Sequence, residues 1–173
     1  MEYILDVGCG NNPMGDVNVD LYIGVSKHRD SRVLVPQNIP NFVLCDAAHL
    51  SFRDDCFEKV FSKDSLEHVG KKPQSTNPGP YMMLKEMIRV SKGDVEIYVP
   101  HRFSIDNCEK RFWIRRHNAF FNLRWFKWAI PKIEKELGIR TSIFAEIIYK
   151  PIFLYFLLMP DRIHILIRKR EEV

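Results

Sequence analysis

The sequence predicts a Rossmann-like α/β fold: one mostly parallel seven-stranded sheet with helices on both faces and a shortened first crossover helix. Three observations predict it. Short apolar runs rich in β-branched residues recur along the whole chain, amphipathic helical patterns lie between several of them, and the first run leads straight into a Gly-x-Gly bend. Strands alternating with helices imply a parallel sheet, since each parallel connection must cross a face of it. The 173 residues are expected to form a single domain, 1–173.

Tyr3–Val7 is the first expected strand and Val17–Asp20 the second. Asn41–Asp46, Lys59–Ser62 and Val95–Val99 follow, and Arg140–Tyr149 and Arg162–Arg168 close the series. Over Tyr81–Ser91, Leu84, Met87 and Ile88 share one helical face while Lys85, Glu86 and Arg89 fall elsewhere. The turn cluster Asn77-Pro78-Gly79-Pro80 precedes that helix and Gly93 follows it. A second helical pattern joins Leu123, Phe126, Ile130, Ile133 and Leu137 and ends at Gly138, with Pro131 inside it predicting a kink or two helices. No helical pattern separates the last two strands, which are expected to pair antiparallel. Nine residues separate Gly10 from Asp20. A βαβ crossover needs about a dozen or more, so the first helix is reduced to a turn or lost.

Composition narrows the class. With 26 Lys+Arg against 22 Asp+Glu the net charge is +4, which permits a polyanionic partner without demanding one. Eight Gly, 10 Pro and 12% aromatic residues exclude collagen-like and disordered chains. Cys9, Cys45, Cys56 and Cys108 lack metal-knuckle spacing, which argues against a zinc site and a disulfide framework and for the reducing cytoplasm; no metal is expected. The N-terminus lacks a signal-peptide pattern. The apolar run Ile152–Met159 is far shorter than the ~20 residues of a membrane-spanning helix. It is expected to link the last two strands, and either folds onto the core or contacts a dimer mate, another partner or a membrane surface.

The informative stretch is Ile4-Leu5-Asp6-Val7-Gly8-Cys9-Gly10, a strand ending in a bend that lets a ligand touch bare main chain. Pro13 stands where a dinucleotide fingerprint has its third glycine, which disfavours a pyrophosphate cradle. Asp20 closes the second strand and can accept from both hydroxyls of a ribose. Asp46 closes the third and can accept from an exocyclic adenine amine. Together they describe a pocket for an adenosine compound.

With these residues in place the sequence resembles a class I S-adenosylmethionine-dependent methyltransferase of the small, stand-alone kind. Leu5-Asp6-Val7-Gly8-Cys9-Gly10 matches that family's first motif, and Asp20 its acidic second-strand residue. Asp46-Ala47-Ala48-His49-Leu50, with Phe52, Asp54, Asp55, Phe57 and Val60, resembles its third-strand segment. Ser65-Leu66-Glu67-His68-Val69 resembles the helix start after strand four, and Leu84–Val90 the helix before strand five. The resemblance implies S-adenosylmethionine as cofactor and a strand order 3-2-1-4-5-7-6. It implies a cofactor site of Asp6, Gly8, Cys9, Gly10, Asp20, Leu21, Asp46, Ala47 and Ser62.

Methyl transfer from a sulfonium is an in-line displacement in which the protein contributes mainly alignment. Candidates on the acceptor side are Asp64 and His68 after strand four, His101 and Arg102 after strand five, and His117 before the aromatic run 120–126. Residues 101–127 interleave seven Lys and Arg with aromatic side chains, a mixture able to pair with phosphates and stack on bases. Ser62-Lys63-Asp64-Ser65 stands where transfer to an exocyclic base amine would use an Asn/Asp-Pro-Pro-Tyr/Phe motif. The expected function is therefore methyl transfer to a small-molecule acceptor. The alternatives are an RNA or protein methyltransferase working through 101–127, and a non-catalytic cofactor-binding partner subunit.

Overall fold

Alternate residues of the central strands are apolar, and that parity decides which face of the sheet is covered. The computed structural model describes residues 2–25, 33–70, 78–104, 117–152 and 157–170. Its strands are β1 (Ile4–Val7), β2 (Val17–Asp20), β3 (Gly24–Val25), β4 (Val33–Leu34), β5 (Phe42–Leu44), β6 (Phe57–Lys63), β7 (Ser91–Pro100), β8 (Thr141–Ile152) and β9 (Leu157–Lys169). Seven of them form one sheet in the order β5-β2-β1-β6-β7-β9-β8, and β3 pairs with β4 apart from it. Counting only the seven, this is 3-2-1-4-5-7-6, the expected order. β9 runs antiparallel to both of its neighbours, while β5, β2, β1, β6 and β7 are parallel.

Leu5 and Val7 of β1, Val60 of β6, Val95, Ile97 and Val99 of β7 and Ile163, Ile165 and Ile167 of β9 enter one core. Two helices close it: α1 (Gly79–Val90), through Met83, Leu84, Met87 and Ile88, and α2 (Leu123–Leu137), through Ala129, Ile130 and Ile133. The crossovers from β6 to β7 and from β7 to β8 advance the same way along the sheet. Right-handed connections therefore deliver both helices to one face. There they touch: Tyr81 Oη donates to Glu136 Oε1 at 2.8 Å, and Lys85 Nζ pairs with Glu136 Oε2 at 2.8 Å. The connections from β1 to β2 and from β2 to β5 advance the opposite way, and among the described residues they carry no α-helix. The other face of the central strands holds a polar set in which Glu96 pairs with Lys59 at 2.5 Å and accepts from Tyr98 Oη at 2.9 Å.

α2 runs through Pro131 as one element. Pro131 and Lys127, whose carbonyl loses its partner to the proline, are both exposed, so the lost hydrogen bond lies on the solvent side of the helix. Asn122 Oδ1 caps the start by accepting from Trp125 N–H at 3.1 Å, and Gly138 ends the helix at φ 69°.

The first crossover has no helix, as its length requires. Side chains replace what a helix would do: Asp6 Oδ2 accepts from Met14 N–H (2.9 Å), Asp16 Oδ2 from Ile4 N–H (2.9 Å), and Asn18 exchanges two hydrogen bonds with Gly15. The loop lies so close to β1 that a Cβ on Gly15 would meet Asp6 N and Val17 O at 2.7 Å and Ile4 O at 2.8 Å. Only glycine fits there.

One expectation is corrected at the far edge. Rather than a loop over Ile152–Met159, β8 continues to Ile152 and β9 begins at Leu157, in register Ile152↔Leu157 and Pro151↔Leu158. Pairing carries both strands past their prolines, with a register irregularity at Ile148/Tyr149 absorbing the disturbance. Residues 153–156, Lys71–Asn77, Cys108 and most of the basic aromatic segment (105–116) lie outside the described residues. Among those described, no helix is long and apolar enough to cross a membrane.

Candidate functional site

The site is assembled where β1, β2, β5 and β6 end. Gly8 (φ 79°) and Gly10 (φ 54°) adopt the left-handed region that glycine tolerates, turning the chain back over β2. The Gly8 and Cys9 N–H groups both donate to Val19 O, at 2.8 and 3.0 Å, fixing the bend. Asp20 fastens it from the other side: Oδ2 accepts from Gly10 N–H and Oδ1 from Tyr22 N–H, each at 3.1 Å. Ser62 Oγ donates to Val7 O at 2.8 Å and ties β6 to the same bend. Asp46 Oδ1 accepts from Ala48 N–H at 2.9 Å, making a tight turn beyond β5.

Beyond β6, Asp64 takes φ 51°, unusual for a non-glycine residue, and pairs with Arg162 of β9. A short 3₁₀ turn, Leu66–His68, follows. The segment 117–119 is fastened onto it: Glu67 O accepts from Asn118 N–H (2.7 Å) and Ala119 N–H (3.0 Å). Asn118 Nδ2 donates to His68 O (2.7 Å) and Gly70 O (2.8 Å).

These elements enclose a cavity of about 430 Å³, within the range of small-molecule sites. Of the residues expected from the sequence, Gly8, Gly10, Asp20, Leu21, Asp46, Ala47 and His68 line it, as does Asp64. Asp6, Cys9 and Ser62 stand behind the wall. Asp6 is 2% exposed, and burial, opposed by the Met14 hydrogen bond and helped by the Asp20 charge, pushes its carboxyl up to about 6. Cys9 belongs to a small second core with Leu34 and Ile39.

His101, Arg102 and His117 are not part of the lining. His101 Nδ1 accepts from Phe103 N–H at 3.2 Å, so the neutral ring carries its proton on Nε2. Burial, with Arg102 adding, holds its pKa below the usual imidazole value. The Arg102 guanidinium lies over the Phe103 ring, 5.0 Å from its centroid. His117 is buried and packs edge-on against His68, ring centroids 4.9 Å apart.

Sequence reading missed Val19, Tyr22, Cys45, Ala48, Ser65, Val69, Gly70, Gly79 and Asn118 in the lining. The position of Ser65, directly after Asp64, was the available signal. Asn118 carried none, since it arrives only through its hydrogen bonds to the 67–70 backbone.

The lining includes Asp20, Asp46 and Asp64 and, among the described residues, no lysine or arginine. A concave site of that charge favours a cationic ligand carrying hydroxyl or amine donors. Residues 5–99 match the family model of the methyltransferase domain. Among solved structures, a SAM-dependent methyltransferase from Archaeoglobus fulgidus is similar with a TM-score of 0.65 at 17% identity, over 96% of this chain and 85% of that one. A Haloferax volcanii methyltransferase solved with the Trm112 methyltransferase activator gives 0.57 at 12% identity, over 98% and 82%. Phosphoethanolamine N-methyltransferase 2 of Haemonchus contortus, in complex with phosphomonomethylethanolamine and S-adenosylhomocysteine, gives 0.57 at 16% identity, over 99% and 50%. At these identities the likeness is one of fold. No curated protein matches the sequence.

Proposed function

Because this chain belongs to the methyltransferase domain family and is an S-adenosylmethionine-dependent enzyme, we propose that the cavity at the ends of β1, β2, β5 and β6 holds the cofactor and a small-molecule acceptor. One observation carries this reading: a glycine bend clamped by Asp20 opens into a cavity lined by three carboxylates. The donor set fits the cofactor, whose sulfonium and ammonium are cations and whose ribose and adenine present hydroxyl and amine donors.

In this reading Gly8 and Gly10 leave the main chain bare beneath the amino-acid tail of the cofactor. Asp20 accepts from the ribose hydroxyls, and Leu21, Asp46 and Ala47 border the base. Asp6 and Ser62 act from behind the wall, Asp6 by holding the 8–16 loop through Met14 and Ser62 by holding Val7. Asp64 and His68 stand on the acceptor side, and His117, His101 and Arg102 support that end from outside the lining. When bound, the cofactor supplies an electrophilic methyl carbon on a positive sulfur. The residues of the chain orient it and keep the acceptor in line, which is where alignment lowers the barrier.

The test is Asp20→Ala. Two hydrogen bonds from ribose hydroxyls, at about 1 kcal/mol or somewhat more each, correspond to a loss of roughly thirtyfold in cofactor affinity. Calorimetric titration with S-adenosylmethionine reads this directly, with circular dichroism reporting an intact fold. Unchanged affinity in the folded variant would remove Asp20 from the site and the reading with it.

A further inference from the structure

At the cavity wall that carries His68, the side chains of Glu67, His68 and His117 converge, with a ligating atom from each lying within 4.8 Å of the others. We propose that these three residues bind one divalent transition-metal ion, of which zinc is the type, and that the ion takes an oxygen of the methyl acceptor as a further ligand. The acceptor half of the proposal rests on the methyltransferase reading above; the ion site does not.

Two imidazoles and a carboxylate are the donor set that suits zinc, iron(II) and their neighbours, and three protein ligands leave a coordination position for a small molecule. Bonds of about 2.0–2.2 Å place tetrahedral ligands roughly 3.3 Å apart. Glu67 Oε1 and His68 Nε2 already stand 3.8 Å apart, so small side-chain rotations close the set.

The backbone beneath the ligands is fixed in advance. Glu67 and His68 sit on the 3₁₀ turn, and His117 precedes the two residues whose N–H groups both donate to Glu67 O. With Asn118 Nδ2 bonding His68 O and Gly70 O, four hydrogen bonds hold together two segments about 50 residues apart in sequence. Such a frame spares the backbone part of the ordering entropy when an ion arrives.

Charge points the same way. Asp64 and Asp161 pair with the guanidinium of Arg162 and Glu67 acts on it as well, so three carboxylates gather at this end of the site. The ion would stand at the wall where His68 and Asn118 meet the cavity. A hydroxyl coordinated there loses its proton to water near neutral pH, since a bound dication lowers its pKa by several units.

The test uses the whole chain stripped with chelator and titrated with cobalt(II), whose visible absorption reports coordination, then with zinc. One equivalent should bind, with the intense d–d bands of a four- or five-coordinate site that zinc abolishes. His117→Gln and His68→Gln should each weaken cobalt binding at least a hundredfold, with metal-free thermal unfolding showing that each variant folds. No saturable cobalt binding, or wild-type affinity in both folded variants, overturns the site. Titration of the same preparation with S-adenosylmethionine separates the two readings: cofactor binding without cobalt binding overturns the ion alone. Cobalt binding without cofactor binding supports the ion and overturns its role toward a methyl acceptor.

Discussion

Gly8→Ala tests the geometry on which the site depends. Gly8 has φ 79°, and a Cβ built on it would stand 1.9 Å from Ser65 Oγ and 2.4 Å from Ser65 Cβ. Two costs follow. An L-residue in the left-handed region costs about 1–2 kcal/mol, and forcing a methyl into an occupied position costs about 1–3 kcal/mol. Rotating the hydroxyl away relieves only the first contact, because Ser65 Cβ is fixed to its backbone. Gly8→Ala should therefore destabilise the protein by about 2–5 kcal/mol, a large part of the ~5–15 kcal/mol that a domain has. Ser65→Gly removes both atoms and leaves Ser65 Cα as the nearest neighbour, at an ordinary 3.8 Å. In a double-mutant cycle measured by urea unfolding, the pair should recover about 1–3 kcal/mol, the contact share alone, while the backbone strain remains. A Gly8→Ala variant within about 0.5 kcal/mol of wild type, or a cycle with no coupling, would show that Ser65 does not lie over the bend.

Gly15→Ala should cost at least ~2 kcal/mol, since its new Cβ meets three backbone atoms at 2.7–2.8 Å and no side-chain change nearby can relieve it; urea unfolding at wild-type stability would refute the close approach of the loop to β1. The Asp6 carboxyl is raised from 3.8 to about 6 chiefly by burial, so the folded chain binds that proton more tightly than the unfolded one. Its contribution is complete below about pH 4 and is lost as pH rises through about 6, up to ~3 kcal/mol; melting temperatures of Asp6→Asn across pH 4–7 should lack that part of the slope, and an unaltered slope would refute it. S-adenosylmethionine should bind more tightly than the uncharged-sulfur product S-adenosylhomocysteine, by roughly tenfold at low salt for a net carboxylate attraction of about 1–2 kcal/mol. That ratio should shrink in 0.5 M salt, taken as roughly a strong-screening condition, and equal affinities at low salt would refute the electrostatic reading of the cavity.

Periodicity made the sheet legible because strands advertise their buried face: Val95, Ile97 and Val99 alternate with Asp94, Glu96 and Tyr98, and Ile163, Ile165 and Ile167 with Arg162, His164, Leu166 and Arg168. The short Gly10–Asp20 interval announced the missing helix, and Gly8, Asp20 and Asp46 announced the strand ends that meet at the cavity. What stayed hidden depends on contacts between segments far apart in sequence. Gly15 looks like any loop glycine until it is seen pressed against Ile4 O and Asp6 N. The outer strands run beyond the expected Tyr149 and Arg162 because antiparallel pairing carries the ladder across Pro151 and Pro160. Asn118 and His117 reach the 67–70 turn through hydrogen bonds that no local pattern encodes.

The loss of the first crossover helix has a physical consequence at the cavity. A helix leading out of the glycine bend would present free N–H groups and a positive dipole end to an anion. Here the Gly8 and Cys9 N–H groups are taken by Val19 O, Gly10 N–H by Asp20, and Asn12 N–H by Cys9 O. The bend therefore contributes shape more than positive potential, and the charge of the described lining residues is negative, from Asp20 and Asp46, with Asp64 paired to Arg162. A nucleotide, with its phosphates, would be repelled by such a lining; a sulfonium nucleoside would not. Shortening the crossover thus narrows the ligand class toward cations, and it does so through the same carboxylate, Asp20, that holds the bend in place.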